Sequence, residues 1–572
     1  MNAIDTNTGK TIRNRNVFKR IGAILARGGK RALRVIVGKT LPQRLFRLYI
    51  VIIVTGALLL CAPFCLNKIE INGQLVQLNG FENVGGYNFV QALFIACSGF
   101  SDTGLTPVNI YEYLNPGGQV VLMILIEVGG IGVVALFYYV WNFFKKKEDK
   151  IDVGQLYIMQ AERGGSKLSE SFQVIKVALL FILSTQIVFM FLFAICFCFI
   201  PAYEQQFLQG LDPTLTQTAY FQGISFNTDK MLPMYHNFGN SLWVGLFTTV
   251  SAMNNAGFDN ISSTSMAPFR NDLGIIFQTL IVLELIIGGL GHFVWFDVIE
   301  KIKCKATGKI YKMTLYTKVA ISVYAIVAAF GLMGTFLSEF FDPRVLSTAS
   351  VGSVGGKSIE LRDLTIIGNR NQFGEFGNNP MLNKCFAIIF QTFNSRSLGM
   401  ETVKTNVFSE GSKWVLVALM FIGASPGSTG GGIKTTTFFV LFMGIKSMIT
   451  HKKPHAFKYS VSEESIKKAM SVLVLGLAVV ILSALVVCII ESSRELPAGS
   501  EYNAMSAVFE MVSAYGTVGL STGVTPYLSV GSKVISIMVM YIGRVGPLTI
   551  MSSWYSGKDE YFRYAEGIIP IG

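Results

Sequence analysis

Two stretches of this sequence, Leu48–Leu66 and Val177–Ile200, run for 19 and 24 residues without a charged side chain. A helix needs roughly 20 apolar residues to cross about 30 Å of hydrocarbon, and core helices of soluble proteins do not carry such runs. Further apolar blocks follow along 572 residues, of which 51% are hydrophobic and 15% charged. That balance excludes a disordered or disulfide-stapled chain and argues against a soluble enzyme. The expectation is an all-helical integral membrane protein, with length for about eight spans.

The net charge of +13 is unevenly spread. Residues 1–47 hold 12 Lys and Arg, Lys145–Lys176 hold 7, Lys301–Lys318 hold 6 and Lys446–Lys468 hold 6. The connections between Leu66 and Phe94 and between Pro201 and Asn240 hold 1 each. Basic connections stay on the cytoplasmic side, so both termini are expected there, in a cell-membrane protein. Aromatic residues lie in the apolar blocks rather than among the basic ones, which argues against nucleic acid as partner. The eight Cys and four His show no zinc-ligand spacing. Most of the cysteines read as small buried hydrophobes.

A pattern recurs four times. Tyr87-Asn88, Phe94 and Ser98 precede Gly104 by 17, 10 and 6 residues, and Tyr502-Asn503, Phe509 and Ser513 precede Gly519 by the same offsets. Phe247 and Ser251 stand at the last two offsets before Gly257, whereas the third unit has Ile389 and Phe393 before Gly399. A second landmark follows in each unit: Val128-Gly129-Gly130-Ile131-Gly132, Ile287-Gly288-Gly289-Leu290-Gly291, Ile422-Gly423-Ala424-Ser425-Pro426-Gly427 and Ile542-Gly543-Arg544-Val545-Gly546. Its first Gly lies 25, 31, 24 and 24 residues beyond Gly104, Gly257, Gly399 and Gly519.

Glycine alone is weak evidence, because it is common wherever membrane helices pack closely. Gly104 and its three counterparts differ in context. Each ends an apolar segment of about 12 residues, too short to cross, and polar residues follow. Non-helical backbone survives at membrane depth only where protein or a water-filled path satisfies it. Four such loops imply a filter around one axis. A dehydrating cation needs replacement oxygens, which extended backbone carbonyls supply. Glycine lets that backbone approach, and the C-terminal ends of the short helices add negative potential.

These residues carry a family resemblance. Ser425-Pro426-Gly427-Ser428-Thr429-Gly430-Gly431-Gly432-Ile433-Lys434-Thr435-Thr436-Thr437, Asn254-Asn255-Ala256-Gly257-Phe258-Asp259 and Gly516-Thr517-Val518-Gly519-Leu520-Ser521 are similar to motifs of the Trk/Ktr/HKT superfamily of potassium transporters. The resemblance runs from Leu48 to the C-terminus. It implies four membrane–pore–membrane repeats (eight transmembrane helices and four re-entrant pore loops) around one pore per subunit, and K⁺ uptake. Implied filter residues are Thr103 and Gly104, Ala256 and Gly257, Leu398 and Gly399, and Val518 and Gly519. Members that prefer Na⁺ replace the first Gly by Ser, so Gly104 points to K⁺. The single span ahead of the first pore loop favours the Ktr-type subunit. That branch implies a homodimer, a cytoplasmic KtrA-type nucleotide-binding ring through which ATP or ADP acts, and uptake that is commonly Na⁺-dependent. The third loop departs from the family with Leu398 before Gly399 and Met400 after it.

The break after Trp414–Ala424 reads as an intramembrane loop lining a cavity. The resemblance makes it a gate of Gly427, Ser428, Thr429, Gly430, Gly431, Gly432 and Lys434. A phosphate-binding loop is the poorer reading, since Ile433 separates Gly432 from Lys434 and no strand precedes it. Arg544 sits inside an apolar span, where a charge faces an interior or a pathway. Burial for packing and an electrostatic barrier below the filter both stay open on its residue type, and the resemblance supports the barrier. Glu127 and Glu284 are candidates to pair with Arg544 or Lys434. Asp102 and Asp259 read as outer-mouth groups, attracting cations or merely solvated.

The expected organisation is a basic tail at 1–47, repeats at 48–144, 171–303, 313–450 and 463–557, and a C-terminal tail at 558–572. The third repeat holds a long outer loop at 342–383 and the intramembrane loop at 425–437. Lys301–Lys318 and His451–Lys468 are candidate surfaces for the cytoplasmic ring. Rival readings are a Na⁺-conducting or Na⁺/K⁺-symporting relative, and a membrane enzyme or receptor, which would leave the four glycine loops unexplained. No enzymatic activity, resident metal or cofactor is expected beyond the transported K⁺ and any coupling or activating Na⁺.

Overall fold

The computed structural model describes residues 41–71, 74–83, 86–132, 168–207, 225–354, 357–372, 376–457, 459–492 and 503–546. Residues Ile53–Pro547 form one compact unit, and Leu41–Ile52 belong to a second. The expected tail at 558–572, most of that at 1–47, Tyr502 and most of the basic connection from Lys145 lie outside the described residues.

The described chain is mostly helical. Its helices are α1 (Leu41–Cys61), α2 (Phe89–Phe100), α3 (Pro116–Ile131), α4 (Leu168–Phe199), α5 (Phe238–Met253), α6 (Gly274–Leu290), α7 (His292–Ala306), α8 (Leu315–Phe340), α9 (Pro380–Asn394), α10 (Glu410–Phe421), α11 (Thr435–Thr450), α12 (Glu463–Glu491), α13 (Ala504–Gly516) and α14 (Val530–Val545). Described strands pair only as two-stranded antiparallel ribbons, such as Lys68–Ile71 with Gln74–Gln77.

Three described segments are long and apolar enough to cross a membrane: Leu179–Phe199, Leu315–Leu346 and Glu463–Glu491. α6 and α7 together form a fourth candidate, bent by 97° at Gly291. Leu180, Ile187, Phe191, Ile195 and Phe199 on α4 are exposed, as are Val474, Ile481, Leu482, Leu485 and Ile489 on α12. Water would not tolerate apolar faces of this extent, and hydrocarbon is their matching solvent. The interior is the reverse. Ser98, Thr103, Ser251, Asn254, Asn255, Asn394, Ser397, Ser513 and Thr517 are buried.

Four short helices, α2, α5, α9 and α13, have 12, 16, 15 and 13 residues. Asparagine starts three of them: the Asn88, Asn237 and Asn503 side chains accept backbone N–H groups of the first turn. Each short helix is followed by a glycine loop and then by α3, α6, α10 or α14. The packing closes a cycle: α3 lies on α5, α6 on α9, α10 on α13, and α14 returns to α2.

The outer loop at 342–383 is folded over its described residues. Ser350–Val354 pairs with Lys357–Glu360. Arg370 reaches Asp363 at 2.5 Å and Glu360 at 2.9 Å, and Lys384 Nζ donates to the Asn369 carbonyl at 2.6 Å. Ile366 and Phe376 join a core with Ile388, Val407 and Phe408. Burial works to raise the Asp363 carboxyl, but hydrogen bonds from Arg370 and from backbone N–H groups outweigh it and hold it below the usual carboxylate range.

Candidate ion pathway

The four glycine loops share one backbone path. Two residues before each glycine stands a non-glycine residue in the left-handed region: Asp102 (φ 53°), Asn255 (56°), Ser397 (83°) and Thr517 (48°). Gly104, Gly257, Gly399 and Gly519 follow at φ 86°, 76°, 82° and 94°. Asp and Asn tolerate the left-handed region, while Ser and Thr are strained there. The repeated Ser also finds its reason. The N–H of Thr103, Ala256 and Val518 donates to the carbonyl of Ser98, Ser251 and Ser513 at 2.8, 2.8 and 2.9 Å. In the third loop Phe393 stands where Ser would be, and Leu398 N–H donates to Asn394 instead, at 2.9 Å.

The loops meet in a closed ring. A methyl group on Gly104 would run into the Ala256 carbonyl oxygen. One on Gly257 would meet that of Leu398, on Gly399 that of Val518, and on Gly519 that of Thr103. All eight expected filter residues are therefore at the contacts between loops, in the order first, second, third, fourth and back to first. Each glycine is required twice, by its positive φ and by a neighbouring backbone.

The second landmark is a packing device in three units. A methyl on Gly129, Gly288 or Gly543 would strike the carbonyl oxygen of Phe100, Met253 or Tyr515, which stand four residues before the ring glycine. Small residues here let α3, α6 and α14 lie against the ends of the short helices. Each of these helices then stops at a positive-φ glycine, Gly132, Gly291 or Gly546. The break expected only in the third unit thus recurs in the others.

The third unit is built differently. α10 ends at Phe421 and helix resumes at Thr435, so the break is longer than the 425–432 gap read from the sequence. Gly423 faces the Gly431 carbonyl rather than a short helix. Arg396, fully buried, donates to the Gly423 carbonyl at 3.1 Å and stacks on Tyr324 with its guanidinium 4.5 Å from the ring centre. The loop touches three other units or loops. His292 N–H donates to the Gly427 carbonyl at 3.2 Å, Gly431 N–H to Thr517 Oγ1 at 2.7 Å, and a methyl on Gly430 would meet Ser397. Lys434 Nζ donates to the Gly430 carbonyl, and Tyr316 to that of Pro426. A cavity of about 30 Å³, room for one water, lies beside the loop between Met253, Gly291, His292 and Thr429.

The charged groups correct the sequence expectation. Asp102 is fully buried and pairs with Arg544 at 2.8 Å, on the side where the short helices end, instead of standing at an outer mouth. Arg544 also donates to the carbonyls of Thr429 and Gly129. Glu127 accepts from Asn254 at 2.6 Å and Gln186 at 3.1 Å, and Glu284 accepts from Thr249. Neither pairing involves Arg544 or Lys434. Asp259 is half-buried and accepts from Ser265 at 2.6 Å. Glu510 was not singled out by sequence. It accepts Ser521 Oγ and Thr525 Oγ1 at 2.6 Å each and Thr522 N–H at 2.9 Å, bracing the fourth loop from behind. The available signal was an acid in a short apolar helix followed by a hydroxyl-rich segment.

An apolar exterior around short helices that end on a glycine ring describes a helical membrane protein of the pore-loop kind. Comparison with known proteins supplies the family: the TrkH model, described as a cation transport protein, matches residues 68–554, and the chain belongs to this family, within the Trk/Ktr superfamily. It is an ion transporter and not an enzyme. It is 33% identical to the uncharacterized cation transporter MG322 homolog of Mycoplasma pneumoniae, covering 94% of this chain and 96% of that one. It is 27% identical to Ktr system potassium uptake protein B of Bacillus subtilis, covering 93% and 97%. In fold it resembles the potassium transporter TrkH from Vibrio parahaemolyticus, with a TM-score of 0.56, 13% identity, and 91% and 86% of the two chains covered.

Proposed function

We propose that the chain carries K⁺ into the cell through the ring of Gly104, Gly257, Gly399 and Gly519. The observation that carries this reading is the cyclic contact, in which every glycine abuts the carbonyl of the residue preceding the next glycine. Such a ring offers Thr103, Ala256, Leu398 and Val518 carbonyls together with the glycine backbone as replacement for water around the ion. The C-terminal ends of four short helices lie just before it and favour a cation. Each K⁺ entering down the membrane potential gains about 2.3 kcal/mol per 100 mV, so conduction needs no catalytic group.

The segment Gly427, Ser428, Thr429, Gly430, Gly431, Gly432 and Lys434 serves as the gate, with Arg544 holding its Thr429 carbonyl. A loop held to several units by backbone-level contacts is suited to respond when those units shift. Likeness to the Ktr protein B supports the Ktr branch: a homodimer in the cell membrane with cytoplasmic termini, regulated by a KtrA-type nucleotide-binding ring on Lys301–Lys318 and His451–Lys468, with Na⁺ as activator or coupling ion.

The test is uptake of radioactive Rb⁺ into proteoliposomes of the purified chain under an inside-negative potential. K⁺ should block uptake and choline should not, and Na⁺ should stimulate it. Absence of uptake even with the gate segment Gly427–Gly432 deleted would sink the proposal.

A further inference from the structure

Asp102 and Arg544 are the two side chains in the region of the ring that the sequence reading left furthest apart in role. Asp102 occupies the left-handed position ahead of Gly104, where the other loops carry the neutral Asn255, Ser397 and Thr517. Arg544 stands in the landmark Ile542-Gly543-Arg544-Val545-Gly546, and the corresponding residues Gly130, Gly289 and Ala424 are uncharged. The single acid among four loops thus meets the single base among four landmarks, across the seam where the fourth unit closes on the first. Their separation is 2.8 Å, with Asp102 fully buried and Arg544 12% exposed.

An unpaired guanidinium at this depth would repel any cation in the ring, since a unit charge is weakly screened away from water. The same guanidinium is needed where it is, because it holds the Thr429 and Gly129 carbonyls. A carboxylate two residues from Gly104 resolves the conflict. We infer that Asp102 is the charge-compensating residue of the inner end of the filter, cancelling Arg544 so that the arginine fixes the gate loop without depressing K⁺ affinity. The inference rests on the proposed filter and adds a determinant of its ion affinity.

The consequence is an ordering. Taking the pair as neutral, Asp102→Asn leaves one net positive charge, Arg544→Gln one net negative charge, and the double substitution none. Apparent KM for Rb⁺ should rise roughly tenfold in D102N, fall in R544Q, and return to near the wild-type value in the double variant. Asp102→Glu should rescue most of the affinity. A pair that merely latched the gate would instead move D102N and R544Q in the same direction, through maximal rate and not KM, and that result overturns the inference. So does a D102N KM within twofold of wild type. Removing one partner of a buried pair is destabilising, so D102N is checked for monodisperse folding. If it fails, the comparison of R544Q with the double variant decides, the double variant having the higher KM if Asp102 acts as charge. Wild-type protein that takes up no Rb⁺ contradicts the proposed transport; normal wild-type uptake with the wrong ordering contradicts only the role of Asp102.

Discussion

The fourth and third glycine loops place Gly519 and Gly399 at neighbouring points of one ring, yet they are supported by different means. In the fourth unit Ser513 supplies the carbonyl for Val518 N–H, Gly543 lets α14 lie against Tyr515, and Glu510 ties down Ser521, Thr522 and Thr525. In the third unit Phe393 displaces that hydrogen bond by one residue, and Arg396 spans to the Gly423 carbonyl. Gly423 then packs against Gly431 of the intervening segment. The ring geometry is common to both units, while the contact behind it is free to change. In the third unit that freedom is used to fold a loop back against the ring.

The largest effect is expected at the ring itself. Gly519→Ala and Gly399→Ala both put a methyl into a neighbouring carbonyl at positive φ, and each should lower Rb⁺ uptake roughly a hundredfold. A mild G399A beside a severe G519A would remove the third loop from the ring and break the comparison. Deleting Gly427–Gly432 comes next: uptake should rise several-fold with K⁺ still preferred over Na⁺. A folded but inactive deletion would make the segment a structural plug. Smaller still, Gly543→Ala should destabilise the protein by about 1–3 kcal/mol through overpacking, read as a lower Tm in detergent. Gly423→Ala should instead disturb the gate and alter uptake rate more than Tm. Equal losses of Tm in the two variants would mean that the two glycines do the same work.

The smallest effect is on the outer loop. The Asp363 carboxyl lies below its ordinary range in the folded protein, so its contribution is present above the ordinary carboxylate pKa and lost as pH falls through the lowered one. Protease protection of the 342–383 loop should therefore hold at neutral pH and weaken only below the usual carboxylate range. Asp363→Asn should remove that acid dependence; an unchanged profile would assign it elsewhere.

Much of this was legible in one sequence because the demand on it was geometric and repeated. A glycine forced by positive φ and by a neighbouring backbone leaves a mark at a fixed offset, and four marks in order locate the ring. The long apolar runs are equally direct, since hydrocarbon sets their length. Charges left no such mark. Asp102 read as a mouth residue because its sequence neighbours are polar, and only the closure of the fourth unit on the first brings Arg544 to it. The left-handed residues two before each glycine were hidden by their variety, Asp, Asn, Ser and Thr, since the ring requires their backbone and not their side chains. Helix breaks at Gly132, Gly291 and Gly546 were masked by apolar flanks that read as continuous spans.

The central claim is that Gly104 and its three counterparts select the ion, and the most direct measurement compares Rb⁺ and Na⁺ uptake by wild-type and Gly104→Ser proteoliposomes at equal driving force. A selective glycine ring predicts strong preference for Rb⁺ in the wild type and a markedly weakened preference in the variant, with protein folded in both. Unchanged selectivity in the Ser variant would contradict the assignment of Gly104 to the filter and, with it, the account of the ring.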